Sequence, residues 1–200
     1  RHIGRQQLLP ARHGFAWVMT NEALWALGGR GNGIVALAFM TVSVALGIAA
    51  RSGRPLLALP RFAVSDVHRF AALSATLLVA LHIGLLFLDP YAKLRVIDFV
   101  VPPFLGAYRP LWQGLGTVAV DVLAVVVVTG LLRQRIGPRV FRFVHWATYL
   151  MWPVAMAHAL GNGTDSDRVW FLAIAGCCAA IVAASLIWRL RANFSEYADA

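Results

Sequence analysis

Four histidines lie inside strongly apolar stretches of this 200-residue chain, and their spacing arranges them as two pairs. His68 and His82 share one stretch, and His145 and His158 share another. On an α-helix, the step from His68 to His82 rises about 20 Å and completes almost four turns, so these side chains face nearly the same direction. Neutral imidazole is a common metal ligand, and an ionisable group in an apolar segment usually marks a functional site. The four histidines therefore predict two bound groups, one above the other across a membrane.

The second pair fits an ideal helix less well. His145 and His158 are about 140° out of phase on a regular α-helix. Pro153 lies between them and is expected to kink the helix, which would re-aim the second imidazole. The alternative interpretation is that all four are buried histidines hydrogen-bonded to neighbouring helices. His2 and His13 lie in a polar tail and are assigned no role.

The composition is that of an integral membrane protein. Hydrophobic residues make up 60% of the chain and charged residues 14%, whereas a soluble domain averages about 45–50% apolar and about 25% charged residues. The formal net charge is +9, but the basic residues cluster in short loops between apolar stretches. That placement indicates membrane topology and contact with anionic lipid headgroups. We therefore predict the lipid bilayer, and no nucleic acid, as a partner.

Apolar windows of about 20 residues predict five transmembrane helices. The predicted spans are residues 32–50, 63–88, 114–132, 140–160 and 169–190. Residues 15–27 are apolar but too short to span, and they are predicted to form an interfacial helix. The glycine-rich residues 28–33 are predicted to form a flexible loop, and residues 96–112 a re-entrant or interfacial loop. The fold class is therefore all-α, an integral membrane helical bundle of five transmembrane helices, to which a sixth could be added upstream of Arg1.

Loop arginines predict the orientation. One side of the bundle carries ten basic residues, namely Arg51, Arg54, Arg61, Arg69, Arg133, Arg135, Arg139, Arg142, Arg189 and Arg191. The opposite loops carry Lys93, Arg95, Arg109 and Arg168. The positive-inside rule then places the N-terminus outside and the C-terminus in the cytoplasm, although four arginines of the N-terminal tail oppose this. His68 and His145 would lie near the cytoplasmic side, and His82 and His158 near the outer side, as two level pairs.

Each level pair could bind the iron of one haem from both faces. A haem with two imidazole ligands has both axial positions filled, so it can change redox state without binding a substrate at the metal. Two haems stacked in this way would have irons about 20 Å apart and would form an electron path across the membrane. Trp146 and Trp152 lie on the same predicted helix between the two levels and could pack between the rings. The residues leave open whether one haem or two are bound.

Three further polar residues, all in or beside the predicted spans, could contact a haem or its histidine ligands. Arg69 follows His68, and Arg142 precedes His145 by about one helical turn. Both could bind the propionates of an inner haem, or they could extend to the lipid headgroups. Asp121 is an acid deep in a span, and it could accept from a ligating imidazole or a tryptophan, relay a proton, or make a structural hydrogen bond. An outer acceptor site could be shaped by Tyr108, Arg109 and Trp112.

Two segments carry a family resemblance, VSDVHRFAALSATLLVALHIGLLFLDPY and RVFRFVHWATYLMWPVAMAHALGNG. They resemble the ferric reductase-like transmembrane domain, whose members include ferric-chelate reductases, NADPH oxidases and the haem subunit of the periplasmic methionine sulfoxide reductase system. The resemblance covers about residues 23–190. It implies two b-type haems, with His68 and His145 binding the inner iron and His82 and His158 the outer iron. It also implies electron flow from a cytoplasmic donor to an acceptor outside. We expect the membrane to be a bacterial plasma membrane.

The resemblance also suggests a division of the chain and a set of partners. We expect an N-terminal tail and interfacial helix over residues 1–30, the haem domain over 31–190, and a cytoplasmic tail over 191–200. Because the given sequence ends ten residues after the last predicted span, we expect electrons to arrive from a separate cytoplasmic flavoprotein, from quinol, or from a domain that the given sequence does not include. The expected outer acceptor is an Fe(III) chelate, oxygen or a periplasmic redox protein. The alternatives are a quinol-linked cytochrome b anchor subunit, a proton or metal-ion transporter, and a purely structural membrane anchor.

Overall fold

The computed structural model describes residues 11–56, 59–89, 95–102 and 109–191, with side chains from Gly28 onward except that of Arg30. Within these ranges the chain is mostly helical and contains no β-strand, which confirms the all-α prediction. The elements are α1 (Ala11–Arg51), α2 (Arg61–Leu88), a 3-10 helix (Val96–Phe99), α3 (Pro110–Leu131), α4 (Arg133–Ile136), α5 (Pro138–His145), α6 (Thr148–Asn162) and α7 (Val169–Leu190).

Four stretches of the described chain are long and apolar enough to cross a membrane. They are Gly31–Arg51 within α1, and the whole of α2, α3 and α7. Their bounds lie within four residues of the predicted first, second, third and fifth spans. The 96–112 segment contains the 3-10 helix and the start of α3, and residues 103–108 lie outside the described part. Whether that segment re-enters the membrane stays a prediction.

Helix α1 continues without interruption through the glycine-rich residues 28–33. The prediction of a flexible loop there is therefore wrong. Each glycine disfavours a helix by about 1 kcal/mol relative to alanine, but α1 packs antiparallel along α2 and this packing outweighs the local preference. Asn32 contributes directly, because its Nδ2 donates to the Leu78 carbonyl of α2 at 2.6 Å. Residues 15–27 are helical as predicted, and their place at the membrane interface stays a prediction.

The predicted span over residues 140–160 is two helices rather than one. Helices α5 and α6 meet at Trp146 and Ala147, where tight i+3 bonds replace the regular ladder, such as Ala147 N–H to Val144 O at 2.9 Å. The Thr148 hydroxyl donates to the His145 carbonyl at 2.7 Å and so satisfies the end of α5. Pro153, at which the sequence predicts a kink, lies inside the continuous helix α6. The interruption comes nearly two turns earlier, immediately after His145.

The core of the described chain lies where α1, α6 and α7 meet. Trp152 of α6 is buried, and its Nε1 donates to the Thr41 hydroxyl of α1 at 2.9 Å. That hydroxyl donates in turn to the Leu37 carbonyl at 2.9 Å. By contrast, α2 turns Phe70 and Leu77 outward, where they are 67% and 71% exposed. A surface of this kind suits contact with lipid.

Candidate functional site

The fold arranges the four histidines as two pairs, each with one histidine from α2 and one from α5 or α6. The ring centroids of His68 and His145 are 6.2 Å apart, and the ring planes are nearly perpendicular at 85°. A metal–imidazole bond is about 2 Å long and the ring centroid lies about 1 Å beyond the nitrogen, so two imidazoles on opposite sides of one metal have centroids roughly 6 Å apart. His82 follows His68 by 14 residues in α2, and His158 follows His145 by 13 residues and lies in α6.

His68 is held by α1. Its Nδ1 lies 2.9 Å from the Ser43 carbonyl and 3.4 Å from the Ser43 hydroxyl. Gly47 lies beside the same imidazole, and a Cβ built on Gly47 would be 3.2 Å from its Cε1. In an α-helix the residue four positions on lies beside a given carbonyl. Glycine at position 47 therefore leaves the Ser43 carbonyl open to His68.

His82 is held in the same way, by a backbone carbonyl of α1 that lies 14 residues before that of Ser43. Its Nδ1 lies 2.8 Å from the Gly29 carbonyl. A Cβ on Gly33, four residues later, would be 3.0 Å from the His82 Cε1. Because α1 and α2 are antiparallel, equal spacing in both helices gives both histidines the same backbone partner geometry. The interval between the acceptors matches the interval between the histidines.

His158 has a third copy of this arrangement, supplied by α3. Its Nδ1 lies 2.8 Å from the Trp112 carbonyl. A Cβ on Gly116, again four residues later, would be 2.6 Å from the His158 Cε1 and Nδ1. Two polar contacts fasten the same end of the helix pair, since Asn162 donates to Gln113 at 2.9 Å and Arg109 donates to the Gly161 carbonyl at 2.6 Å.

These carbonyl contacts determine which ring nitrogen carries the proton. A carbonyl oxygen only accepts, so Nδ1 of His68, His82 and His158 must donate. In a neutral imidazole the Nε2 atom is then unprotonated and presents a lone pair. A hydrogen bond of this kind fixes the orientation of a metal-binding histidine and raises its basicity. Three of the four imidazoles are therefore prepared to bind a metal through Nε2.

His145 differs from the other three. Its Nδ1 is buried and has no hydrogen-bond partner among the described residues. The ring instead packs against Phe141, with centroids 5.2 Å apart and planes inclined by 31°.

The donor set of each pair fits one class of metal group. Nowhere in the described chain do three or more histidine, cysteine or acidic side chains form a metal-binding cluster. A bare zinc ion takes about four ligands, of which the protein supplies at least three. Two facing imidazoles are enough only where other atoms already fill the remaining positions, as the porphyrin nitrogens do around haem iron.

The comparison with protein families agrees with this geometry. The model of the ferric reductase like transmembrane component matches residues 32–156, well over half of the chain. The chain belongs to the ferric reductase-like transmembrane family. This membership supports a role in membrane electron transfer. No curated protein and no solved structure matched the chain. The matched region contains His68, His82 and His145, and it ends two residues before His158.

Two predicted arginines of this ferric reductase-like chain lie on its surface. Arg69 and Arg142 are both exposed. Arg142 lines an open cavity of about 370 Å³ together with Arg139, Phe143 and Trp146. The cavity places a basic and aromatic surface on α5, close to His145 in sequence. A propionate contact by Arg69 or Arg142 stays a prediction.

The two predicted tryptophans have different surroundings. Trp152 is buried against Thr41 of α1, between the levels of His145 and His158 along the chain. Trp146 is 57% exposed and lies under the Arg189 guanidinium of α7, 5.1 Å from the ring centroid. The same guanidinium donates to the Tyr149 hydroxyl. A role for either tryptophan between two haems stays a prediction.

The remaining candidate residues predicted from the sequence are Asp121, Tyr108, Arg109 and Trp112. Asp121 is half-buried, and no hydrogen bond or ion pair joins it to another residue in the described part. The histidine nitrogens that have partners use backbone carbonyls instead. Trp112 and Arg109 lie at the His158 end of α3 and α6, where Trp112 provides the carbonyl that His158 contacts and Arg109 donates to the Gly161 carbonyl. Tyr108 lies outside the described residues, so an outer acceptor site stays a prediction. Sequence reasoning missed the acceptor carbonyls, whose available signal was the spacing of Gly33 and Gly47.

Proposed function

We propose that this chain is a two-haem cytochrome b that carries electrons across the membrane. The inner haem would be bound by His68 and His145, and the outer haem by His82 and His158. The observation that carries the proposal is the tautomer and orientation of the imidazoles. Three present an unprotonated Nε2 because Nδ1 donates to a helix carbonyl, and the inner rings stand at the separation expected for two axial ligands.

The glycines support the same proposal. Gly33, Gly47 and Gly116 each lie where a Cβ would press on an imidazole. Each glycine therefore keeps a carbonyl accessible and keeps a ring close to the neighbouring helix. This is expected of a site in which the orientation of the ligand matters.

Haem b, when bound, supplies one-electron chemistry at iron. Two histidines would hold each haem, and backbone carbonyls hold His68, His82 and His158 in one tautomer. The carbonyls of Ser43, Gly29 and Trp112 raise the basicity of their histidines, which tunes the reduction potential. The 14-residue interval in α1 and α2 separates the two sites by about 20 Å.

The proposed direction runs from a cytoplasmic donor to an acceptor outside. The positive-inside distribution of arginines supports an outer N-terminus and a cytoplasmic C-terminus. The donor would be a flavoprotein or quinol on the His68–His145 side. The acceptor would receive electrons on the His82–His158 side, where Arg109 and Trp112 lie.

Haem content of paired variants tests the proposal. A pyridine haemochrome assay on the detergent-purified protein is expected to give about two haems b per chain. The double variant His68→Ala/His145→Ala and the double variant His82→Ala/His158→Ala are each expected to retain about one. Leu77→Ala is a matched control, because this α2 side chain lies between the histidines in sequence and is 71% exposed. A folded wild-type protein that takes up no haem in haem-sufficient cells would refute the proposal.

A further inference from the structure

We infer that His145 is the exchangeable axial ligand of the inner site, where a small neutral donor such as imidazole or carbon monoxide can take its place. His68 is then the ligand that retains the inner haem. This inference rests on the proposed function. It is carried by the contrast between three anchored histidines and one unanchored histidine.

The three anchored histidines share one local unit. In each unit a helix carbonyl accepts from Nδ1, and glycine stands four residues later in the same helix. The units are Ser43 with Gly47 at His68, Gly29 with Gly33 at His82, and Trp112 with Gly116 at His158.

The sequence of α3 contains the elements of a fourth unit, but the unit is not assembled. Fourteen residues after Trp112 and Gly116 come Val126 and Gly130, the same interval that separates the two units of α1. Gly130 faces the Phe141 ring, whose Cε2 would be 4.0 Å from a Cβ built there. The Val126 carbonyl accepts from the Thr129 hydroxyl at 3.1 Å. The Nδ1 of His145 is left buried and without a partner in the described chain.

The interruption between α5 and α6 explains the missing unit. Phe141 stands one helical turn before His145, so α5 meets Gly130 about one turn out of register. Helix α5 also packs loosely against the rest of the described chain, because none of its eight residues is buried. Phe143, for example, is 82% exposed. The ring of His145 is therefore positioned by its contact with Phe141 and not by a backbone acceptor.

The consequence is a difference between the two inner ligands. Rotating His68 away from its position breaks a hydrogen bond to Ser43 and moves the ring out of the space beside Gly47. Rotating His145 breaks no protein hydrogen bond that the described residues provide. A competing donor at the inner iron therefore displaces His145 before His68.

Single histidine variants test the inference. His145→Ala is expected to retain about two haems per chain, one of them high-spin by electron paramagnetic resonance. On reduction this variant should bind about one carbon monoxide per chain, and added imidazole should return the oxidised haem to the low-spin form. His68→Ala is expected to retain about one haem. The outer variants His82→Ala and His158→Ala serve as matched controls, and each should lose the outer haem to a similar extent because both ligands are anchored.

A second measurement avoids dependence on any inner-site variant. The reduced wild-type protein under saturating carbon monoxide is expected to bind up to one equivalent per chain. This response should persist in His82→Ala/His158→Ala, which keeps only the inner haem. The inference is overturned if His145→Ala loses haem as completely as His68→Ala, or if the wild type binds no carbon monoxide. Absence of haem from the wild type would instead refute the proposed function, so the two failures are distinguishable.

Discussion

Substituting Gly116 with alanine should weaken the outer site without weakening the fold. The new Cβ would lie 2.6 Å from the His158 Cε1, whereas carbon atoms in favourable contact are about 3.5 Å or more apart. The imidazole must therefore move away from α3 by about 1 Å. Its Nδ1 starts 2.8 Å from the Trp112 carbonyl, so this displacement takes the pair beyond the usual limit of about 3.2 Å.

The size of the effect follows from the loss of that hydrogen bond. Removing the partner of a metal-binding histidine typically lowers metal affinity by about 10- to 100-fold, which corresponds to about 1.4–2.7 kcal/mol. Alanine also favours a helix over glycine by about 1 kcal/mol. The lost hydrogen bond between His158 and Trp112 costs a similar amount in the haem-free protein. Gly116→Ala should therefore lower the affinity of the outer site for haem while leaving the haem-free protein about as stable as the wild type.

Haem titration of the haem-free protein, together with its thermal unfolding, measures both quantities. Gly84→Ala and Gly176→Ala are matched controls, because a Cβ on either helical glycine meets no atom within 4 Å. The loss of haem affinity should follow the distance from the new Cβ to the nearest imidazole atom. It should be largest for Gly116→Ala (2.6 Å), smaller for Gly33→Ala (3.0 Å) and smallest for Gly47→Ala (3.2 Å). The reasoning is refuted if Gly116→Ala binds the second haem as tightly as Gly84→Ala does.

Two further predictions concern the core and the loop before α3. Trp152→Phe removes the donor to the Thr41 hydroxyl and should lower the free energy of unfolding by about 1 kcal/mol, measured by thermal denaturation in detergent. Hydrogen bonds from the Arg95 side chain and backbone hold the pKa of Asp98 below its usual range. A carboxyl with a lowered folded-state pKa stabilises the protein above its unfolded pKa, and this contribution disappears as the pH falls through the folded value. The unfolding temperature of the wild type should thus fall more steeply below about pH 4 than that of Asp98→Asn, and equal slopes would contradict this assignment.

Much of this architecture could be predicted from the sequence, because the dominant force acts on whole segments. Transfer into a bilayer depends on about 20 apolar residues at a time, so the bounds of α2 and α7 follow closely from hydropathy. The spacing of His68 and His82 likewise implies a shared helix face. The loop prediction for the glycine-rich residues 28–33 was wrong because their weak local preference for a loop is overridden by packing against α2.

The parts that could not be predicted depend on backbone atoms. Every residue has a carbonyl, so the acceptors of His68, His82 and His158 have no distinctive side chain in the sequence. The visible signal is indirect, a glycine four residues later. The interruption after His145 is equally hidden, because it depends on a Thr148 bond and on packing, whereas the sequence draws attention to Pro153.

In the proposed two-haem arrangement, the paired units of α1 and α2 mean that the peptide backbone sets the distance over which an electron would pass. Side-chain substitutions between Gly29 and Ser43 can change lipid contacts or stability, but they leave the rise per residue unaltered. A single inserted or deleted residue in that interval would rotate one acceptor by about 100° and move it by about 1.5 Å relative to the other. Length changes in α1 between its two acceptors should therefore be tolerated only when α2 changes length equally between His68 and His82. The 14-residue intervals in α1 and α2 must therefore stay equal for both histidines to keep their acceptors.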